Sequence, residues 1–123
     1  PCLIRSAQNN QMTSVNIKKE TMMAGLSCGE PSLLGWEILS KGVDDFITIS
    51  DASVPKSMRL LAKNKPSIEA GESSVAGLEG LMQTMNNKAV AKKISLNSNS
   101  IVLLFGTEGA TDPEIYDAII NTT

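Results

Sequence analysis

Apolar residues in this chain come in short runs separated by polar turns. The densest run is IVLLF at residues 101–105. A turn, Gly106-Thr107-Glu108-Gly109, follows it, then a helix start with Thr111 or Asp112 as cap and Pro113 in the first turn. Thr111-x-x-Glu114 also fits a capping box. FITIS at residues 46–50 is a second strand-like run, and residues 67–70 a third. Between them the spacing predicts helices. One runs from a Ser32 cap to about Lys41, with Leu34 and Ile38 on its inner face and Gly42 as its stop. A second starts at Asp51 or Ser53, carries Pro55 in its first turn and turns Met58, Leu61 and Ala62 inward. A third places Val75, Leu78, Met82 and Met85 on one stripe, and the last buries Ile115, Ala118 and Ile119. Residues 90–94 form a short amphipathic piece, and residues 1–20 read as loop or extended segment. Alternating helices and short apolar strands predict an α/β fold, a mostly parallel sheet flanked by helices.

Composition narrows the classes. With 41% hydrophobic and 20% charged residues the chain reads as a globular segment, a single α/β segment over residues 1–123. Aromatics are only 3%, so the core is expected to be aliphatic, with six methionines filling it. A net charge of −2 with interspersed signs offers no footprint for nucleic acid or an anionic membrane. No apolar run has the length of a membrane span and no export signal is visible, so a cytoplasmic setting is expected. Two distant cysteines, Cys2 and Cys28, fit a reducing compartment as thiols. Histidine is absent, which excludes a histidine base, triad or metal ligand within the chain, and no metal site is expected. The start at Pro1 rather than Met suggests a piece of a longer polypeptide.

Three turns carry candidate chemistry. Gly71-Glu72-Ser73 and Gly106-Thr107-Glu108 each precede a helix, and Ala24-Gly25-Leu26 presents a bare glycine. Facing one crevice, they would offer two carboxylates, several hydroxyls and free backbone N–H groups to a small polar or anionic ligand. The bland alternatives are a cap with its helix-dipole acid at Glu72, a solvated turn at Thr107 and Glu108, and a small buried residue at Cys28.

Three segments read together resemble a known family: MAGLSCGEPSLLGWEIL (23–39), AGESSVAGL (70–78) and LLFGTEGATDPEIY (103–116). Their order and spacing are similar to the C-terminal part of the diaminopropionate ammonia-lyase family, within the tryptophan-synthase-β-like, fold type II pyridoxal-phosphate enzymes. FITISDASVPKSMRLLA (46–62) looks similar too. The resemblance implies the C-terminal part of a larger catalytic domain. Its Schiff-base lysine and phosphate-holding glycine loop would lie outside this chain, so no catalytic residue is assigned here. Lys18, Lys19, Lys88, Lys92 and Lys93 all stand in polar stretches. The resemblance places Ala24, Gly25 and Leu26 near the cofactor ring, Glu72 in the site wall, and a hydroxyl facing the pyridine nitrogen. Gly106 stands where the family carries a serine, and Thr107 beside it supplies the hydroxyl if the register shifts by one. Ser74 and Ala110 also depart from the family pattern, which has a glycine and an acid there.

The implied cofactor is pyridoxal 5'-phosphate. The implied reaction converts the amino acid 2,3-diaminopropionate to pyruvate and ammonia. The implied partners are the rest of the parent enzyme and a second copy in a homodimer. A threonine or serine dehydratase, or a non-catalytic small-ligand module, are the alternatives.

Overall fold

Three of the α-helices among the described residues begin where a side chain offers a cap. The computed structural model describes residues 1–122. Among them are six α-helices: α1 (Cys2–Asn9), α2 (Leu33–Gly42), α3 (Val54–Ala62), α4 (Ala76–Asn86), α5 (Lys88–Lys93) and α6 (Pro113–Asn121). The Ser32 hydroxyl accepts from the Gly35 amide at 3.2 Å, the Asn87 side chain from Val90 at 3.2 Å, and Asp112 from Ile115 at 3.1 Å. Each bond satisfies an amide that a helix start leaves without a partner. Pro113 opens α6 directly after its cap, where a missing N–H costs nothing.

α1 was not expected, because its residues are mostly polar and lack a long apolar period. Burial of Cys2 and Ser6 holds it. The Ser6 hydroxyl donates to the Cys2 carbonyl at 2.8 Å and accepts from the Thr13 amide at 2.9 Å. Asn10 ends the helix in the left-handed conformation, φ 54°.

The expected parallel sheet is not there. No strand occurs among the described residues. Residues 46–50, 67–70 and 101–105 are non-helical, as the sequence suggests, but none pairs with another. A strand needs a neighbour to complete its ladder, and β-propensity reports only fitness for such a surface. Ile101 is 100% and Phe105 76% exposed. The apolar run therefore marks a segment left uncovered within this chain rather than a sheet centre.

Two compact units divide the chain, Pro1–Thr48 and Ile49–Thr123. In the first, the Val15 amide donates to the Gly29 carbonyl at 2.7 Å. Gly29 suits this approach, since a Cβ there would stand 2.6 Å from the Val15 carbonyl oxygen. Trp36 and Phe46 form a tilted ring pair with centroids 6.3 Å apart. Leu34 and Ile38, expected on the inner face of α2, are both exposed.

In the second unit α3 packs against α4 and α6. Val54, Met58, Ala70, Val75 and Tyr116 form its core. The Arg59 guanidinium donates to the Ile119 carbonyl at 3.1 Å, near the end of α6. The stripe expected on α4 is rotated. Glu79, Gly80 and Thr84 face inward while Met85 is exposed. Gly80 and Thr84 are small, so the helix can approach its neighbour there, and Glu79 is satisfied where it lies. Ser57 donates to its carboxylate at 2.9 Å and Gln83 at 3.1 Å. Burial would raise the Glu79 pKa. The hydrogen bonds from Ser57, Gln83 and Ser53, with the nearby Lys56 charge, outweigh it and hold the carboxyl below its ordinary 4.5. On α6, Tyr116 is buried instead of Ile115 and Ala118. Burial, then the charges of Glu69 and Asp117, push the Tyr116 hydroxyl above its ordinary 10.0.

Candidate functional site

Two of the three predicted turns meet. The loop before α4 and the loop before α6 dock backbone to backbone. The Gly71 amide donates to the Glu108 carbonyl at 3.1 Å. A Cβ at Gly71 would collide with the Gly109 carbonyl oxygen, so only glycine permits this approach.

Side chains complete the contact. The Glu108 carboxylate accepts from the Ser73 amide at 2.6 Å. The Ser74 hydroxyl donates to the Glu108 carbonyl at 2.5 Å and accepts from the Glu108 amide at 2.6 Å. Farther along the turn, Glu69 accepts from the Ala110 amide at 3.0 Å. The amide, the carbonyl and the Oε2 carboxylate oxygen of Glu108 thus each have a partner on the 71–74 loop. The Ser73 amide lies in the turn that leads into α4, where a carboxylate is also favoured by the helix dipole.

This changes the picture of a crevice offering two carboxylates. Glu108 is spent on the docking. Glu72, half-exposed, and Thr107, exposed, make no hydrogen bond among the described residues. Among the described residues, Glu72 and Thr107 thus keep a carboxylate and a neutral hydroxyl without a hydrogen bond on these loops. Gly106 is also roomy, with Ser74 Oγ 3.7 Å from where a Cβ would stand.

Ala24, Gly25 and Leu26 belong to the first unit and form a short 3-10 turn there. The Leu26 amide donates to the Met23 carbonyl at 2.8 Å and the Ser27 amide to the Ala24 carbonyl at 3.1 Å. Met23 is buried, while Ala24, Gly25 and Leu26 are exposed. The Ser27 hydroxyl and the Glu20 carboxylate are hydrogen-bonded beside the turn.

Sequence reasoning did not single out Ser74 as an anchor or Glu69 as a second one. Their one visible signal is proximity to Gly71, a glycine between an acid and paired serines. All lysines of the chain are exposed. No cluster of three or more metal-ligating side chains is present among the described residues. Among the described residues, no helix is long and apolar enough to cross a membrane. A cleft of about 420 Å³ lies elsewhere, along α4 and α5, with Met85 and Leu96 in its wall and Lys88 and Lys92 at its edge. It includes none of the predicted residues.

A neutral hydroxyl whose acidic neighbour is tied down fits the edge of a heteroaromatic ring that is to be met without a full negative charge. In that respect Thr107 and its turn suit a pyridine-type cofactor.

Comparison with known proteins agrees with the motif resemblance. No protein-family model matches the chain. The diaminopropionate ammonia-lyase of Escherichia coli (strain K12) is 36% identical over 126 residues, covering 97% of this chain and 31% of the enzyme. That of Salmonella typhimurium is 36% identical over 128 residues, covering 97% and 32%. A crystal structure of the Escherichia coli enzyme, in complex with an aminoacrylate-PLP azomethine reaction intermediate, superposes with a TM-score of 0.84 at 34% identity. It covers 98% of this chain and 31% of that one. A second, in complex with D-serine, gives 0.83 at 33% identity. The chain spans under a third of the length of these matched enzymes.

Proposed function

From the premise that this chain is homologous to diaminopropionate ammonia-lyase, we propose that it forms one wall of the active site of such an enzyme, in its C-terminal part. The supporting observation is the 36% identity carried across 97% of the chain. The proposed reaction is elimination of ammonia from 2,3-diaminopropionate, leading to pyruvate and a second ammonia.

Pyridoxal phosphate, when bound, supplies an electron-withdrawing ring that eases loss of the α-proton and of the β-amino group. The residues of this chain position and tune. Thr107 offers a neutral hydroxyl to the ring nitrogen side. A hydroxyl cannot neutralise a protonated pyridine as an aspartate can, so the ring stays a moderate electron sink suited to prompt elimination. Glu72 orients polar groups of cofactor or substrate from the wall. The Ala24-Gly25-Leu26 turn, in the first unit, is proposed as a cofactor contact on the motif resemblance alone. The motif resemblance assigns the lysine that carries the cofactor to the remainder of the enzyme. A cytoplasmic homodimer is part of the same proposal.

The test is a pyruvate assay on the full-length gene product with pyridoxal phosphate and 2,3-diaminopropionate. Pyruvate and ammonia should form in a 1:2 ratio, and the 123-residue chain alone should form none. Faster turnover of threonine or serine than of 2,3-diaminopropionate would replace this function with a dehydratase.

A further inference from the structure

Resting on the cofactor-wall reading above, we propose that Glu108 is a positioning residue, whose carboxylate anchors the Gly106-Thr107 turn to the Ser73 amide and fixes where the Thr107 hydroxyl stands. By residue type, Glu108 reads as a ligand-facing acid. Its contacts assign it the opposite task. The carboxylate accepts from Ser73 at 2.6 Å. Its backbone amide and carbonyl are both held by the single Ser74 hydroxyl, at 2.6 and 2.5 Å. The carbonyl also accepts from Gly71 at 3.1 Å. Thr107, one residue earlier, has no such bond. The turn is pinned at Glu108 and presents the residue before it.

The pin is also directional. A carboxylate is an acceptor only, so it can hold donors such as the Ser73 amide and no acceptor. Ser74 both donates and accepts, so it fixes the peptide of Glu108 in one orientation. With Glu69 holding the Ala110 amide at 3.0 Å, the turn is tied on both sides of Gly109. Tethering Glu108 also keeps its charge on the Ser73 amide and leaves the turn's free group neutral. Loss of the tether would displace the hydroxyl and release a negative charge beside it.

The test uses the full-length gene product and three variants, Glu108→Gln, Glu108→Ala and Ser74→Ala. Amide hydrogen exchange is followed over residues 71–74 and 106–110, together with the visible absorption of bound pyridoxal phosphate across pH. Glu108→Ala removes one charge-assisted hydrogen bond and Ser74→Ala two part-buried ones, and each should raise exchange in both loops by about tenfold or more. Both should move the pH midpoint of the cofactor band. Glu108→Gln keeps an acceptor oxygen at the same reach and should restore most of the protection and the band. A Glu108→Ala protein with a lowered melting temperature but an unmoved band and wild-type exchange overturns the proposal, since that is a structural role only. A wild-type protein without any cofactor band overturns the cofactor reading instead. Exchange in the loops then still decides whether Glu108 is the anchor.

Discussion

Gly71 and Gly106 are both glycines in docked turns, and they should respond to substitution in opposite ways. A methyl at Gly71 meets the Gly109 carbonyl and the Glu108 side chain. Gly71→Ala should therefore undock the loops and cost about 1–3 kcal/mol, as overpacking does, read by thermal melting together with faster exchange at residues 106–110. A side chain at Gly106 meets only Ser74, at ordinary contact distance. Gly106→Ser should change stability by no more than about 0.5 kcal/mol. It would place a second hydroxyl beside Thr107. If Thr107 already serves the cofactor ring, the band and its pH midpoint stay where they are in the Gly106→Ser protein, and Thr107→Val moves them. At this scale the sequence shows which turns matter, because glycine, acid and hydroxyl cluster there. It does not show that Glu108 is consumed, because its partners lie 34 and 35 residues away and no local pattern encodes that pairing.

Caps and prolines are local devices, and the helix starts they mark are the part of the fold legible in the sequence. Ser32 and Asp112 cap where they were expected to. Buried faces are less legible, because burial depends on what a helix meets. α4 hides Glu79 and Thr84, and leaves Met85 exposed. The buried Glu79 gives the α3–α4 contact a pH dependence. Its folded pKa lies below its unfolded value, so its contribution to stability is full above about 4.5 and is lost as pH falls through the lower folded value. The melting temperature should drop as the solution is acidified through that range. Glu79→Gln should flatten that part of the profile. If the wild type and Glu79→Gln lose stability in parallel on acidification, other carboxylates carry the effect.

Across the whole molecule, apolar surface is the salient property. Ile101, Leu103 and Phe105 are exposed, as are Leu33, Leu34 and Ile38. A self-sufficient chain seldom shows so many large apolar side chains to water. The isolated 123-residue chain should self-associate at micromolar concentration, seen as concentration-dependent sedimentation, and should bind a hydrophobic dye such as ANS. A monomer that melts cooperatively and ignores the dye would contradict this. The same surface explains why a sheet was expected. Period and composition identify segments suited to burial, and they carry no information on whether the covering partner lies within the same chain.

The docking of the two glycine turns has a kinetic side. Joining Ser73 to Glu108 closes a loop of 35 residues, an entropic cost of roughly 3 kcal/mol from loop length alone. At about 1 kcal/mol net per hydrogen bond, the first clasp bonds made do not offset that cost and only the full set does. The turns therefore gain their partners only once α4, in the intervening chain, has packed and shortened the search. That places the clasp late in folding. Its mutations should speed unfolding and leave the folding rate nearly unchanged, so that the geometry of the candidate site is the last thing the chain acquires and the first it gives up.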